Sequence, residues 1–113
     1  MSAITTHVLD ISLGRPATNL SVQLEVFKVG IFQKLTNGIT NSDGRIANWT
    51  DNFALETGQY QIRFETANYF ASIGCQDYFY PEVNICFEIK DPTSHYHVPL
   101  LLSPFGYSTY RGS

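Results

Sequence analysis

The sequence has neither a long apolar run nor a cluster of basic residues. Its longest apolar stretch, Val98 to Leu102, contains Pro99 and is far shorter than the roughly 20 apolar residues that a membrane-spanning helix needs. Lys and Arg number 7 against 10 Asp and Glu, which gives a formal net charge of -3. We therefore expect no membrane span and no binding of nucleic acid through phosphate neutralisation.

A secretory signal is also missing. The segment from Met1 to Asp10 has no basic start followed by an apolar core, which is the pattern of a signal peptide. We therefore expect a cytoplasmic protein. A leader cleaved earlier would leave no trace in this sequence, and it stays an alternative.

Common catalytic and cofactor motifs are absent. The sequence contains no GxGxxG, no Walker-type loop, no GxSxG and no HExxH, so nucleotide binding, α/β-hydrolase and zinc-protease chemistry lack their residues. Cys75 and Cys86 are the only cysteines, with no CxxC pair and no neighbouring His. This spacing does not match a zinc site and predicts two buried or half-buried thiols.

The 113 residues, 43% hydrophobic and 15% charged, predict one folded domain over residues 1–113. Apolar and polar residues alternate from Leu20 to Val29, and this period of two indicates a strand with one buried face. Turn signals such as Asn37-Gly38 and Asp91-Pro92 separate similar segments. The others are Tyr60 to Glu65, Val83 to Lys90, Ile4 to Leu9, Ile31 to Thr36, Arg45 to Trp49, His95 to Leu102 and Tyr107 to Arg111. About eight short strands predict an all-β fold, an antiparallel sandwich.

One segment departs from the strand pattern. Ala67 to Gly74 has Tyr69, Phe70 and Ile73 at helical spacing. Asn68 is suited to cap the N-terminus and Gly74 to adopt the left-handed conformation at the C-terminus. We predict a single short helix there.

The candidate functional residues begin with the histidines. His7 lies in the first predicted strand, and His95 and His97 are two residues apart, so they share one face of a strand with Pro99 and Leu101. They can be structural or exposed side chains. They can also hold a metal ion together, but that would require a third ligand brought close by folding.

Arginines and the C-terminal segment are the other candidates. Tyr107 to Ser113 is aromatic and strand-like, whereas chain ends are usually polar and frayed. It can be an edge strand that closes a sheet, or part of a site. Arg45 and Arg111 carry planar guanidinium groups suited to an anionic or carbonyl-rich ligand. Arg45 can equally be an ordinary turn residue after Asp43-Gly44.

Taken together, four motifs resemble the transthyretin-like 5-hydroxyisourate hydrolase family over nearly the whole chain. They are His7-Val8-Leu9-Asp10 with Gly14-Arg15-Pro16-Ala17, Asp43-Gly44-Arg45, the run from His95 to Pro104, and Tyr110-Arg111-Gly112-Ser113. The resemblance implies a transthyretin-like antiparallel β-sandwich of two four-stranded sheets with one short α-helix, assembled as a homotetramer.

The resemblance also implies an activity and a site. The reaction is hydrolysis of 5-hydroxyisourate to 2-oxo-4-hydroxy-4-carboxy-5-ureidoimidazoline in urate breakdown, without a metal or an organic cofactor. The implied catalytic residues are His7, Arg45 and His97, and these contact substrate together with the tail residues Tyr110, Arg111 and Ser113.

Two non-catalytic alternatives share the predicted fold. One is a transthyretin-type carrier of a flat aromatic ligand, and the other is a sandwich module of the adhesion type. In transthyretin the positions matching His7, Arg45 and His97 hold other residues, and the Tyr-Arg-Gly-Ser ending is absent. The resemblance therefore favours the enzyme.

Overall fold

The computed structural model describes residues 2–113, which form two β-sheets, one short helix and their connections. The elements in chain order are β1 (Ile4–Asp10), β2 (Arg15–Pro16), β3 (Ser21–Lys28), β4 (Ile31–Ile39), β5 (Arg45–Ile46), β6 (Gly58–Phe64), α1 (Thr66–Ser72), β7 (Val83–Ile89), β8 (Tyr96–Ser103) and β9 (Gly106–Thr109). The predicted all-β sandwich with one short helix is confirmed.

The two sheets differ in size. The first has the order β2-β1-β8-β9, with β5 also paired to β1, and the second has the order β4-β3-β6-β7. The first sheet has five strands rather than four because the two-residue strands β2 and β5 pair with different parts of β1.

One strand pair differs from the predicted antiparallel arrangement. β1 and β8 run parallel, from Ile4 opposite Tyr96 to Asp10 opposite Leu102, while the other strand pairs are antiparallel. Parallel neighbours need a long connection between them, and here the whole second sheet lies between β1 and β8 in the chain.

Alternation decides which side chains enter the core between the sheets. In the second sheet, the buried residues Tyr60, Ile62 and Phe64 of β6 follow the predicted period of two. In β1, Ile4 and Val8 are fully buried, and Val98 and Leu100 of β8 are also buried. The alternate positions of β1 and β8 therefore lie on the outward face of the first sheet.

The helix begins at Thr66, and Asn68 lies inside it, so the predicted Asn68 cap is wrong. The residue before the helix is Glu65, whose side chain makes no capping hydrogen bond. Gly74 follows the helix with a φ of 76°, as predicted. Within the described residues, no helix has the length and apolar character needed to cross a membrane.

The helix is anchored to the first sheet through a buried polar contact. Tyr69 Oη donates a 2.7 Å hydrogen bond to Oδ2 of Asp10, which is fully buried at the end of β1. Burial and this hydrogen bond raise the pKa of Tyr69 well above its usual range. Tyr69 therefore stays protonated and remains a donor to Asp10.

The two thiols differ in exposure. Cys75 is half-buried, as predicted, but Cys86 is exposed. Cys86 lies on β7 between Ile85 and Phe87, at a position that alternates away from the core. The prediction for Cys86 is therefore wrong.

Candidate active site

A cleft of about 350 Å³ opens on the outward face of the first sheet. It forms where β1, β5, β8 and the C-terminal segment meet. Its lining residues are Thr5, Thr6, Arg45, Ile46, Ala47, His95, His97 and Ser113. His7 lies two residues after Thr5 on the same face of β1, so it adjoins the cleft.

Arg45 is placed by the turn that precedes it. Gly44 has a φ of 75°, and a Cβ there would lie 2.5 Å from the carbonyl oxygen of Val8. The Val8 N–H donates a 2.8 Å hydrogen bond to the carbonyl oxygen of Gly44, which fastens the turn to β1. This close approach requires glycine. It fixes the antiparallel register in which Arg45 lies opposite His7.

The parallel pairing of β1 and β8 places Thr5 opposite His97. The Thr5 hydroxyl oxygen lies 2.8 Å from Nδ1 of His97 and 3.1 Å from Nε2 of His95. The two imidazole rings are nearly parallel, with an interplanar angle of 13° and centroids 6.5 Å apart. The predicted common face of His95 and His97 is confirmed.

Burial and positive charge lower the pKa values of both candidate catalytic histidines. For His97, the causes in order of size are desolvation, Arg45, His95 and His7, while a hydrogen bond to the Thr5 backbone opposes them. For His7, desolvation and Arg45 lower the pKa, and the backbone and carboxylate of Asp43 oppose them. Both imidazoles are therefore mainly neutral at neutral pH.

The C-terminal segment turns back from β9 to His97. The Gly112 N–H donates a 2.8 Å hydrogen bond to the carbonyl oxygen of His97, and the two residues form a bridge. A Cβ on Gly112 would lie 2.6 Å from Cδ2 of the His97 ring. The sequence allowed this segment to be an edge strand or part of a site. In the structure β9 forms the edge of the first sheet, and Ser113 lines the cleft.

Tyr110 and Arg111 lie elsewhere in the single chain. Both line a neighbouring cleft of about 270 Å³ beside β7. The guanidinium carbon of Arg111 is 4.4 Å from the centroid of the Tyr96 ring, and Nη2 donates a 3.3 Å hydrogen bond to the carbonyl oxygen of His95. The fold thus brings Arg45, His97 and Ser113 to one cleft, which His7 adjoins. Tyr110 and Arg111 line the neighbouring cleft instead.

Two residues of this cleft were missed by the sequence interpretation. The resemblance does not imply a catalytic role for His95, although the spacing of His95 from His97 predicts a common face for the two. The position of Thr5 depends on the parallel register of β1 and β8, which no local pattern shows. Among residues 2–113, no three His, Cys, Asp or Glu side chains are arranged to hold a metal ion.

Comparison with known proteins places this architecture in a family. Residues 4–112 match the HIUase/Transthyretin family. The chain belongs to the HIUase/transthyretin family. A 5-hydroxyisourate hydrolase from Salmonella dublin is 45% identical over 111 residues, which cover 97% of this chain and 80% of that protein.

Two solved structures of the HIUase/transthyretin family have the same fold. The 5-hydroxyisourate hydrolase of Klebsiella pneumoniae has a TM-score of 0.83 and 39% identity, covering 97% of this chain and 98% of that one. Sea bream transthyretin in complex with thyroxine has a TM-score of 0.89 and 26% identity, covering 98% of this chain and 95% of that one. The family and the transthyretin-like fold expected from the sequence are therefore confirmed.

Proposed function

We propose that this chain hydrolyses 5-hydroxyisourate in urate breakdown, with His7, Arg45 and His97 as its catalytic residues. Two relatives at 45% and 39% identity carry that activity in their names. The observation that carries the proposal is one cleft in which β1, β5 and β8 bring the Arg45 guanidinium group and the His97 imidazole together, with His7 opposite Arg45 beside it.

The proposed reaction opens a cyclic amide. A water oxygen attacks the ring carbonyl carbon while one imidazole takes a proton from that water. The carbonyl oxygen gains negative charge, the C–N bond breaks, and the imidazolium returns its proton to the departing nitrogen. A neutral imidazole is needed at the first step, which is consistent with the lowered pKa values of His7 and His97.

Arg45 supplies the fixed positive charge. Its guanidinium group can donate to the carbonyl oxygens of the substrate and stabilise the oxyanion that forms on attack. Burial is the main cause of the lowered pKa values of both imidazoles, and the charge of Arg45 adds to it, so Arg45 helps to keep the bases unprotonated as well as binding substrate. Ser113 contributes a polar contact from the tail.

We also propose the homotetramer implied by the resemblance, located in the cytoplasm. Exposed apolar side chains stand at both turns of the first sheet, namely Ile11 and Leu13 after β1 and Phe105 between β8 and β9. A further copy of the chain can pack against these apolar side chains. Tyr110 and Arg111, which lie outside the cleft of their own chain, would contact substrate only across such an assembly.

The test of the proposed function is an ultraviolet assay of 5-hydroxyisourate freshly generated from urate. We expect decay faster than the uncatalysed blank with the purified protein, and loss of that acceleration in Arg45→Ala. A folded protein that does not accelerate the decay would contradict the enzyme. Saturable binding of a flat aromatic ligand would then support the carrier.

The pH dependence of the reaction should follow the charge at position 45. In the wild type, kcat/KM should fall as the pH decreases through a value below the ordinary histidine pKa of about 6.5. Arg45→Gln removes a cation that lowers both pKa values, so the acid limb should move to higher pH. Arg45→Lys keeps the charge and should keep the limb in place.

Histidine NMR titrations of the free protein check this shift directly, because they do not require catalysis. We expect the imidazole signals of His7 and His97 to titrate at higher pH in Arg45→Gln than in the wild type or in Arg45→Lys. Equal titration midpoints in the three proteins would show that Arg45 does not control these imidazoles.

A further inference from the structure

The Thr5 hydroxyl lies between two imidazole nitrogens, and the proposed reaction assigns it no role. Its oxygen is 2.8 Å from Nδ1 of His97 and 3.1 Å from Nε2 of His95. A hydroxyl has one hydrogen to donate and two lone pairs to accept. It can therefore donate to at most one of the two nitrogens, so at least one of them must carry a hydrogen that it donates to the hydroxyl.

The direction of this pair of hydrogen bonds decides which nitrogen of His97 is protonated. If Thr5 donates to His97, then neutral His97 carries its proton on Nε2 and has no lone pair there. If His97 donates from Nδ1, then the Thr5 hydrogen is available to Nε2 of His95, and Nε2 of neutral His97 is free to accept a proton.

The Thr5 hydroxyl occupies Nδ1 of His97, which leaves Nε2 as the ring nitrogen that can accept a proton. Gly112 packs against the Cδ2 edge, and Thr5 occupies Nδ1. A water bound in the cleft can lose its proton to His97 only at Nε2. The base role of His97 therefore requires its own proton to lie on Nδ1, facing Thr5.

We propose that Thr5 is a positioning residue for His97, with His95 as the second member of the relay. Nδ1–H of His97 donates to the Thr5 hydroxyl, which donates to Nε2 of His95. This inference rests on the proposed function, and of its two candidate imidazoles it takes His97 as the one that accepts the proton of the attacking water. In this proposal Thr5 and His95 act through His97.

The pairing of β1 with β8 holds Thr5 in place. Thr5 is 6% exposed and pairs with His97 across the parallel strands β1 and β8. The neighbouring residue Thr6 donates a 2.6 Å hydrogen bond from Oγ1 to the carbonyl oxygen of Val98, which ties the same two strands together. The stiff β-branched side chain of Thr5 limits the rotation of the hydroxyl.

His95 is held in place as well. Its carbonyl oxygen accepts a hydrogen bond from Nη2 of Arg111, whose guanidinium group lies over the Tyr96 ring. The tail thus supports the relay at both histidines, through Arg111 at His95 and through Gly112 at His97.

The test compares Thr5→Val, which keeps the shape but removes the hydroxyl, with Thr5→Ser, which keeps the hydroxyl. We expect Thr5→Val to lower kcat by about 10- to 100-fold, the loss typical when a partner that orients a functional imidazole is removed. KM should change little, since the role proposed for Thr5 is to orient His97. Thr5→Ser should restore most of the rate.

A second readout is the protonation of the His97 ring nitrogens, measured by ¹⁵N NMR of the free protein. We expect the proton mainly on Nδ1 in the wild type and in Thr5→Ser, and a shift towards Nε2 in Thr5→Val. A purely structural role for Thr5 would leave this distribution unchanged. Thermal melting of each variant confirms that it is folded.

The outcomes separate this proposal from the proposed function. An inactive wild type whose His97 carries its proton on Nδ1 would contradict the hydrolase and leave the positioning supported. An active wild type with the proton on Nε2, or a folded Thr5→Val with unchanged kcat and tautomer, would overturn the positioning alone. If Thr5→Val does not fold, His95→Phe removes the acceptor while keeping a ring, and unchanged kcat and tautomer there overturn it equally.

Discussion

His97→Asn should lower kcat by about 10² to 10⁴, the range expected when acid-base catalysis is lost. Asparagine is close to imidazole in reach and can still hydrogen-bond to the Thr5 hydroxyl, which lies 2.8 Å from Nδ1 in the native protein. It cannot take a proton from water at neutral pH. The loss should therefore appear in kcat, measured by the ultraviolet decay of 5-hydroxyisourate.

The matched variant is His7→Asn, because His7 lies next to the same cleft and its pKa is also lowered by burial and by Arg45. If His97 is the base, His7→Asn should retain more activity than His97→Asn. A His97→Asn protein that melts normally and works at nearly the wild-type rate would transfer the base role to His7.

The strands that carry the core could be predicted from the sequence. The alternation at Val22 and Leu24, and at Tyr60, Ile62 and Phe64, matches the buried faces of β3 and β6. A period of two is imposed by the pleat of each strand, so it is visible without knowing the neighbours.

Features that depend on distant neighbours could not be predicted in this way. The two-residue strand β2 exists only because β1 pairs with it, and of the strand predicted over Arg45 to Trp49 only the two residues of β5 pair with β1. Asn68 has the residue type of a helix cap, but the helix begins at Thr66, whose Oγ1 donates to the carbonyl oxygen of Tyr80. Tertiary contacts therefore set that boundary, not local capping preference.

Only part of the candidate site could be predicted without knowing the fold. The resemblance implied His7, Arg45 and His97, and the fold places all three on the outward side of one sheet. It could not show that Arg111 turns towards Tyr96, or that Thr5 comes between His95 and His97. Side-chain direction at the tail and strand register are properties of the assembled sheet.

The largest effect expected from a single added methyl group is at Gly112. Gly112→Ala should lower kcat by about 100-fold or more, because a displacement of about 1 Å at a catalytic group can cost 10²-fold in rate. A Cβ there would lie 2.6 Å from Cδ2 and 3.3 Å from Cγ of His97. The backbone of Gly112 cannot retreat freely, since its N–H donates to the carbonyl oxygen of His97. Either the His97 ring or the tail must move.

Gly106→Ala is the matched control for Gly112→Ala. It adds the same methyl group in the same C-terminal region, but its nearest neighbour would be Ser103 Oγ at 3.8 Å, an ordinary contact. We expect Gly106→Ala to keep the wild-type rate and both variants to remain folded. If Gly112→Ala were as active as Gly106→Ala, the tail would not determine the position of His97, and the rate would depend on β1 and β8 alone.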